Sequence, residues 1–266
     1  MELKGWENKG RNLGGPLQKQ FYKMISLLKD PAFVSGRNWA ELKQDLASEI
    51  QTSTSQLGTI LTVFKSLQLL PQDSLLRNSP IPREEDLTTD LGNLLYSLIA
   101  IEDEISKLPE GSTKDNINGN IQGMFQGFYA ESMINFYYPQ GGRENSPNPL
   151  HPARAILKAL DKYGALDKYE FYLLCTFILE DDDQEKEELF EKYLLRYRNN
   201  LITFTNNDIT QYEKGHQYLP QNLYKAGLVN LTTGRNWKIS ENNNMTKLRD
   251  TLLHDNFLES FYCHLN

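Results

Sequence analysis

Apolar positions recur at helical spacing along most of the chain. In the stretch Tyr218 to Ser240 they change period. Leu223, Ala226 and Leu228 form an apolar stripe closed by Gly227, a residue that readily takes the left-handed turn ending a helix. Val229 and Leu231, then Trp237 and Ile239, alternate as half-buried strands do, and Thr233-Gly234-Arg235-Asn236 supplies turn chemistry between them. The pattern predicts a short helix followed by a β-hairpin. Trp237 and Tyr224 are expected in the core.

A weaker copy lies near the start. Residues 53–68 open with hydroxyl residues suited to capping and place Leu57, Ile60, Leu61, Phe64 and Leu67 on one helical face. Leu17 to Leu28 and Trp39 to Ile50 predict two helices before it. The loop after it, to Asp86, holds Pro71, Pro80 and Pro82, which excludes a central strand and predicts an exposed wing or edge. Helix, helix, helix, wing is thus legible twice. The expected fold is mainly α (α+β), with two winged helix-turn-helix units joined by a helical linker: 1–95 with a polar, basic arm over Gly5 to Asn12, 96–149 as the linker, and 150–266. Gly92 to Lys107, which runs from the first unit into the linker, and Ile121 to Phe136 predict helices, Pro109 to Asn120 a polar connector, and Tyr137 to Pro149 a break. The second unit is expected to hold helices over Pro152 to Tyr163, Tyr169 to Leu179 capped by Asp167, and Glu185 to Asn200. A last helix is expected at Met245 to Leu258.

A length of 266 residues with 39% apolar composition supports one large core or two ordinary ones. No apolar run is long enough to span a bilayer and Met1-Glu2-Leu3-Lys4 begins no signal peptide, so no membrane partner and a cytoplasmic location are expected. Cys175 and Cys263 are too few and too far apart for a disulfide framework or a zinc site. The net charge of −7 opposes nucleic-acid binding, but its distribution does not. Residues 1–83 carry 11 Lys and Arg against 7 Asp and Glu, and residues 84–266 carry 17 against 28. The positive excess favours a DNA-facing surface on the first unit. The acidic run Glu180 to Glu191 reads as a solvated helix start favoured by the helix dipole.

Catalytic signatures are sparse: there is no phosphate-binding Gly-rich loop, no His-Glu-x-x-His, and His151, His216, His254 and His264 are widely spaced. Asp30 with Glu41 and Lys43 has the letters of a metal nuclease, although Asn38 capping Trp39 to Ile50 makes Glu41 and Lys43 ordinary helix-surface residues. DNA contacts are expected instead. The third helix of a winged unit enters the major groove with its N-terminal residues at base edges. In the first unit these are Thr52, Ser53, Thr54, Ser55, Gln56 and Thr59. Arg77, Asn78 and Arg83 in the wing loop, with Lys9, Arg11, Asn12 and Lys19 at the front, are candidates for phosphate or groove contacts, as are Arg143 and, at the second hairpin tip, Arg235 and Asn236. On charge, Arg11 and Arg77 are expected to matter more than Arg235.

Pro147-Asn148-Pro149-Leu150, the helix ending Ala159-Leu160-Asp161-Lys162-Tyr163-Gly164, and Leu166-Asp167-Lys168-Tyr169-Glu170-Phe171-Tyr172-Leu173-Leu174-Cys175 resemble the recognition half of type IIS restriction and nicking endonucleases of the AlwI kind. Leu223-Tyr224-Lys225-Ala226-Gly227-Leu228-Val229 with its hairpin is similar to that family's second winged unit. Leu87-Thr88-Thr89-Asp90-Leu91-Gly92 resembles the end of its first, and Tyr137-Tyr138-Pro139 matches its aromatic-Pro break. The resemblance spans 85–266 and reaches 1–84 in outline. It implies sequence-specific recognition of double-stranded DNA, with cutting by a C-terminal nuclease domain or nuclease subunit that uses Mg²⁺. No catalytic residue, and no cofactor or metal ligand, is carried over to this chain, which is expected to be a recognition fragment or a separate specificity protein. The alternatives are a complete small metal-dependent nuclease and a winged-helix transcription regulator or interaction protein.

Overall fold

A computed structural model describes residues 1–7, 10–76, 79–143, 146–211, 218–232, 234 and 237–242. They fall into two compact units, Arg11–Asn135 and a second one made of Met1–Gly10 with Phe136–Asn266. Ten α-helices and five short strands are present among the described residues, so the chain is mainly α as its periodicity predicts.

The first unit is six helices: α1 (Gly15–Lys29), α2 (Pro31–Val34), α3 (Trp39–Glu49), α4 (Thr54–Ser66), α5 (Asp90–Ser106) and α6 (Ser112–Asn135). Each long helix turns an apolar stripe inward, Leu17, Phe21, Met24, Ile25 and Leu28 from α1 and Leu57, Ile60, Leu61 and Phe64 from α4. Phe21 meets Phe64 edge-on at 5.0 Å. Leu87-Thr88-Thr89-Asp90-Leu91-Gly92 has a structural cause: Thr89 caps α5 by accepting from Gly92 N (3.1 Å), and a Cβ at Gly92 would overlap the Leu69 carbonyl. Only glycine lets α5 start against that backbone.

In the second unit, α7 (Pro152–Tyr163) leads through Gly164 (φ 76°) into β2 (Ala165–Asp167), α8 (Lys168–Phe177) and α9 (Gln184–Arg198). After β3 (Ile209–Gln211) come α10 (Tyr218–Lys225), β4 (Val229–Thr232) and β5 (Lys238–Glu241). β5 lies between β2 and β4, antiparallel to both, with Leu166 and Leu231 each opposite Ile239. These apolar positions share one face of the sheet, as period-2 alternation requires. α10 ends in a Schellman turn: Leu228 N donates to Leu223 O (3.0 Å) and Gly227 N to Tyr224 O (2.9 Å), with Gly227 at φ 72°.

Three expectations change. The arm over Gly5 to Asn12 is built in at its start: β1 (Leu3–Lys4) pairs in parallel with β3, and Trp6 is fully buried. The Trp6 indole donates to Ile178 O (2.5 Å), packs on Phe171 and occupies the space left by Gly142, where a Cβ would collide with it. Two large buried apolar side chains three positions apart, Leu3 and Trp6, outweigh the polar residues around them. Next, the residues expected to link two units are part of them. α5 and α6 form a helical hairpin inside the first unit, and α6 already begins at Ser112, in the stretch read as a connector. Ile121, Phe125 and Phe128 bury its inner face, overriding the low helix propensity of its Asn and Gly residues. Last, the described part of the Pro71 to Asp86 loop forms no strand. Its β-pairing is an isolated antiparallel bridge between Asn38 and Pro80, because its prolines lack the N–H a ladder needs. The helix expected at Met245 to Leu258 lies outside the described residues.

Candidate nucleic-acid interface

The turn between α3 and α4 is short. Thr52 N donates to Ala47 O (2.8 Å) and Gln51 N to Ser48 O (3.0 Å), closing α3 with Gln51 at φ 55°, and Ser53 then caps α4 by accepting from Gln56 N (3.1 Å). Of the polar residues expected to meet base edges here, several are used locally. Ser53 is the cap, and Thr52 donates its hydroxyl to Gln56 Oε1 (2.8 Å). Thr54, Ser55 and Gln56 are exposed and Thr59 is half-buried, leaving a solvent face of hydroxyls and one amide.

α10 presents a different face. Leu219, Pro220, Asn222 and Leu223 turn inward. Pro220 sits in the first turn, where its missing N–H costs no helical hydrogen bond. Gln221, Tyr224 and Lys225 are exposed at i, i+3 and i+4, so they share one side of the helix. Tyr224 is 55% exposed, against the expectation of a core position, since it lies opposite the Leu219–Leu223 stripe. Trp237 is half-buried and packs edge-on against the buried Phe171, with ring centroids 5.2 Å apart. The hairpin that follows exposes Thr232 and Lys238. Residues 218–242 carry three basic side chains against one acidic, whereas residues 136–211 carry nine against thirteen. Along the sequence the acidity of the second unit is concentrated outside 218–242, above all in the run from Glu180 to Glu191, although Asp167 lies opposite Lys238 across β2 and β5. Spacing alone held the signal for Gln221 and Tyr224, because the residues left over once Leu219 and Leu223 are placed inside must face solvent.

Other expected contacts fare unevenly. Arg83 is exposed, with its side chain 84% accessible, and Asn12 and Lys19 are exposed, while Arg11 is half-buried. Arg143 is corrected: its guanidinium donates to the carbonyls of Lys4, Cys175 and Thr176 (3.3–3.4 Å). It ties the N-terminal strand to the carbonyl end of α8, where a cation is favoured. Lys9, Arg77, Asn78, Arg235 and Asn236 lie outside the described residues.

Two polar assemblies hold the second unit. Asp167 and Glu170 form a capping box at the start of α8, and the buried Glu170 carboxylate is gripped by Arg198 (2.6 and 3.3 Å), which also donates to the carbonyls of Tyr163 and Ala165. The Glu170 carboxylate raises the Arg198 pKa further. At the start of α7, Asp181 accepts from His151 N (2.9 Å) and pairs with its Nδ1 (2.6 Å), and Tyr137 stacks on the imidazole. Burial works to raise the Asp181 pKa, but the His151 side-chain and backbone hydrogen bonds outweigh it and leave the carboxyl below its usual range. Between α7 and α9 lies a cleft of about 380 Å³. Its basic wall meets its acidic wall in the pairs Lys158–Asp182 (3.0 Å) and Lys162–Glu191 (2.7 Å), so charge is matched within the protein.

Asp30 and Glu41, the letters of a metal nuclease, are both helix caps. Asp30 accepts from Ala32 N (2.9 Å) at α2, and Glu41 completes the capping box with Asn38 at α3. Among the described residues no group of three or more His, Cys, Asp or Glu side chains is placed to hold a metal ion. Likewise no described helix is long and apolar enough to cross a membrane. Cys175 is fully buried, and burial pushes its thiol pKa well up, so it is a packing residue. No protein-family model, curated protein or solved structure matches the chain.

Proposed function

We propose that the chain is a sequence-specific reader of double-stranded DNA, the recognition part of a type IIS restriction or nicking endonuclease, built from two winged helix-turn-helix units. One observation carries the reading. The order α7, β2, α8, then α10, β4, β5, with β5 between β2 and β4, is the connectivity of a winged helix carrying α9 as an insertion before its third helix. The first unit supports it with a reduced version of the same succession, α1, Asn38, α3, α4, Pro80, in which the Asn38–Pro80 bridge stands where β2 pairs with β5. A third helix beside a ribbon is a shape that fits the major groove of a duplex.

Cutting belongs, in this reading, to a separate Mg²⁺-dependent nuclease domain or subunit, and the recognition chain supplies grip and register. Selection of bound duplexes from a random library is the test. Recovery of one asymmetric site supports a restriction-type reader, since a homodimeric regulator selects two related half-sites. A palindrome, or a library that emerges unenriched, contradicts it.

A further inference from the structure

The two units offer different surfaces to a duplex. On α4 the polar residues nearest the helix start are short apart from Gln56, whose amide oxygen is engaged by the Thr52 hydroxyl, and Ser53 is spent on the cap. Several basic side chains of that unit are paired with carboxylates, Lys23 with Glu49, Lys29 with Glu84 and Arg37 with Asp45. Lys65 is folded back onto the carbonyls of Gln72 and Ser74 (2.8 and 2.5 Å), pinning the loop that would be the wing. On α10 the exposed side chains are long. Tyr224 is the only aromatic among the large hydrophobic side chains exposed in the described residues. After α10 run the antiparallel strands β4 and β5, in which Lys238, opposite Asp167 in the neighbouring strand, is exposed and enters no ion pair among the described residues.

From this contrast we infer that base reading is assigned to α10 of the second unit: Gln221 and Tyr224 face base edges in the major groove, and Lys238 on the hairpin holds a phosphate. The assignment rests on the DNA-reading function proposed above and reverses the expectation, drawn from net charge, that the first unit reads bases. Its chemistry is specific. A glutamine amide both donates and accepts, matching the N6 and N7 pair of adenine, and an aromatic ring offers an apolar surface to the thymine methyl. The site read by α10 therefore contains at least one A·T pair. Excess positive charge over 218–242, within a unit whose residues 136–211 are net acidic, is the complement a polyanion requires.

The test compares variants of the full chain on the duplex that the intact protein selects. Gln221, Tyr224 and Lys238 are exposed, so their substitution leaves the fold in place, which circular dichroism checks. Gln221→Ala lowers discrimination at one base pair about tenfold or more, and Gln221→Glu moves preference there from adenine toward cytosine. Tyr224→Ala weakens discrimination at a neighbouring pair. Lys238→Ala weakens binding to every duplex alike and reduces the slope of log affinity against log salt by about one. Ser55→Ala with Thr59→Ala leaves the selected sequence unchanged. Selected sequences that are unaltered by the α10 variants but altered by the α4 pair overturn the assignment and leave the DNA-reading function standing. A wild-type chain indifferent to every duplex overturns both.

Discussion

Asn38 and Asp167 occupy matching places in the two units. Each is itself extended, caps the following helix and exchanges hydrogen bonds with a Glu three residues on. What surrounds them differs. Glu41 is exposed and serves the cap, whereas Glu170 is buried beneath Arg198, which reaches from the last turn of α9 to the end of α7 and to β2. Asn38 pairs with a single proline, while Asp167 belongs to a three-residue ladder that continues into a hairpin. One local device thus supports two degrees of elaboration. Where strand, buried carboxylate and arginine come together, β2 is extended by the antiparallel β5 and β4 that follow α10. Where the return segment is rich in proline, it is held by Lys65 instead.

The largest effect expected from breaking this contrast is at Trp6, whose indole fills the space between α8 and Gly142. Trp6→Ala should cost the second unit about 3–5 kcal/mol, read as faster amide exchange in β1, β3 and α8 with α1 to α4 unaffected. Unchanged exchange would deny the N-terminal strand its structural role. Arg198→Met is next. It strands a buried carboxylate, and after allowance for the partial solvent exposure of Arg198 should destabilise by about 2–3 kcal/mol, whereas Glu41→Gln in the first unit should cost under about 1 kcal/mol. Equal losses in chemical denaturation would erase the distinction between the two capping boxes.

The contrast was only partly legible in the residues. Period and turn chemistry revealed the helices of both units other than α2 and the first part of α6, the Gly227 closure and the β4–β5 hairpin, because each is written in local sequence. β2 is three residues long, too short to show alternation, and its role as cap and strand depends on β5 more than seventy positions away. The parallel pairing of Leu3–Lys4 with Ile209–Gln211 is invisible for the same reason. At the candidate interface, counting charge favours the first unit, and the proposed assignment to α10 departs from that count because Lys23, Lys29 and Arg37 are ion-paired and Lys65 is folded onto carbonyls, which sequence does not reveal. Arg143 was misread likewise: an arginine serving helix carbonyls looks like any loop arginine.

Acid should separate the units more gently. The Asp181 pKa is depressed in the folded state, so its contribution is fully present above the ordinary value of 3.8 and is lost as the pH falls through the lower folded value. Stability of the second unit should accordingly decline below about pH 4, and Asp181→Asn should flatten that part of the curve. A variant with an undiminished acid slope would assign the loss to other carboxylates. The smallest expected change is a gain. Gln51 closes α3 in the left-handed region, where Gly227 closes α10, and Gln51→Gly should stabilise the first unit by about 0.5–1 kcal/mol in thermal unfolding. A loss would indicate that the Gln51 side chain supports the turn.

The most direct trial of DNA recognition is a paired titration of the intact chain, at one salt concentration, with its selected duplex and with a shuffled duplex of the same length and composition. A reader of base edges should prefer the selected sequence by about a thousandfold or more. Equal affinity for the two would contradict it.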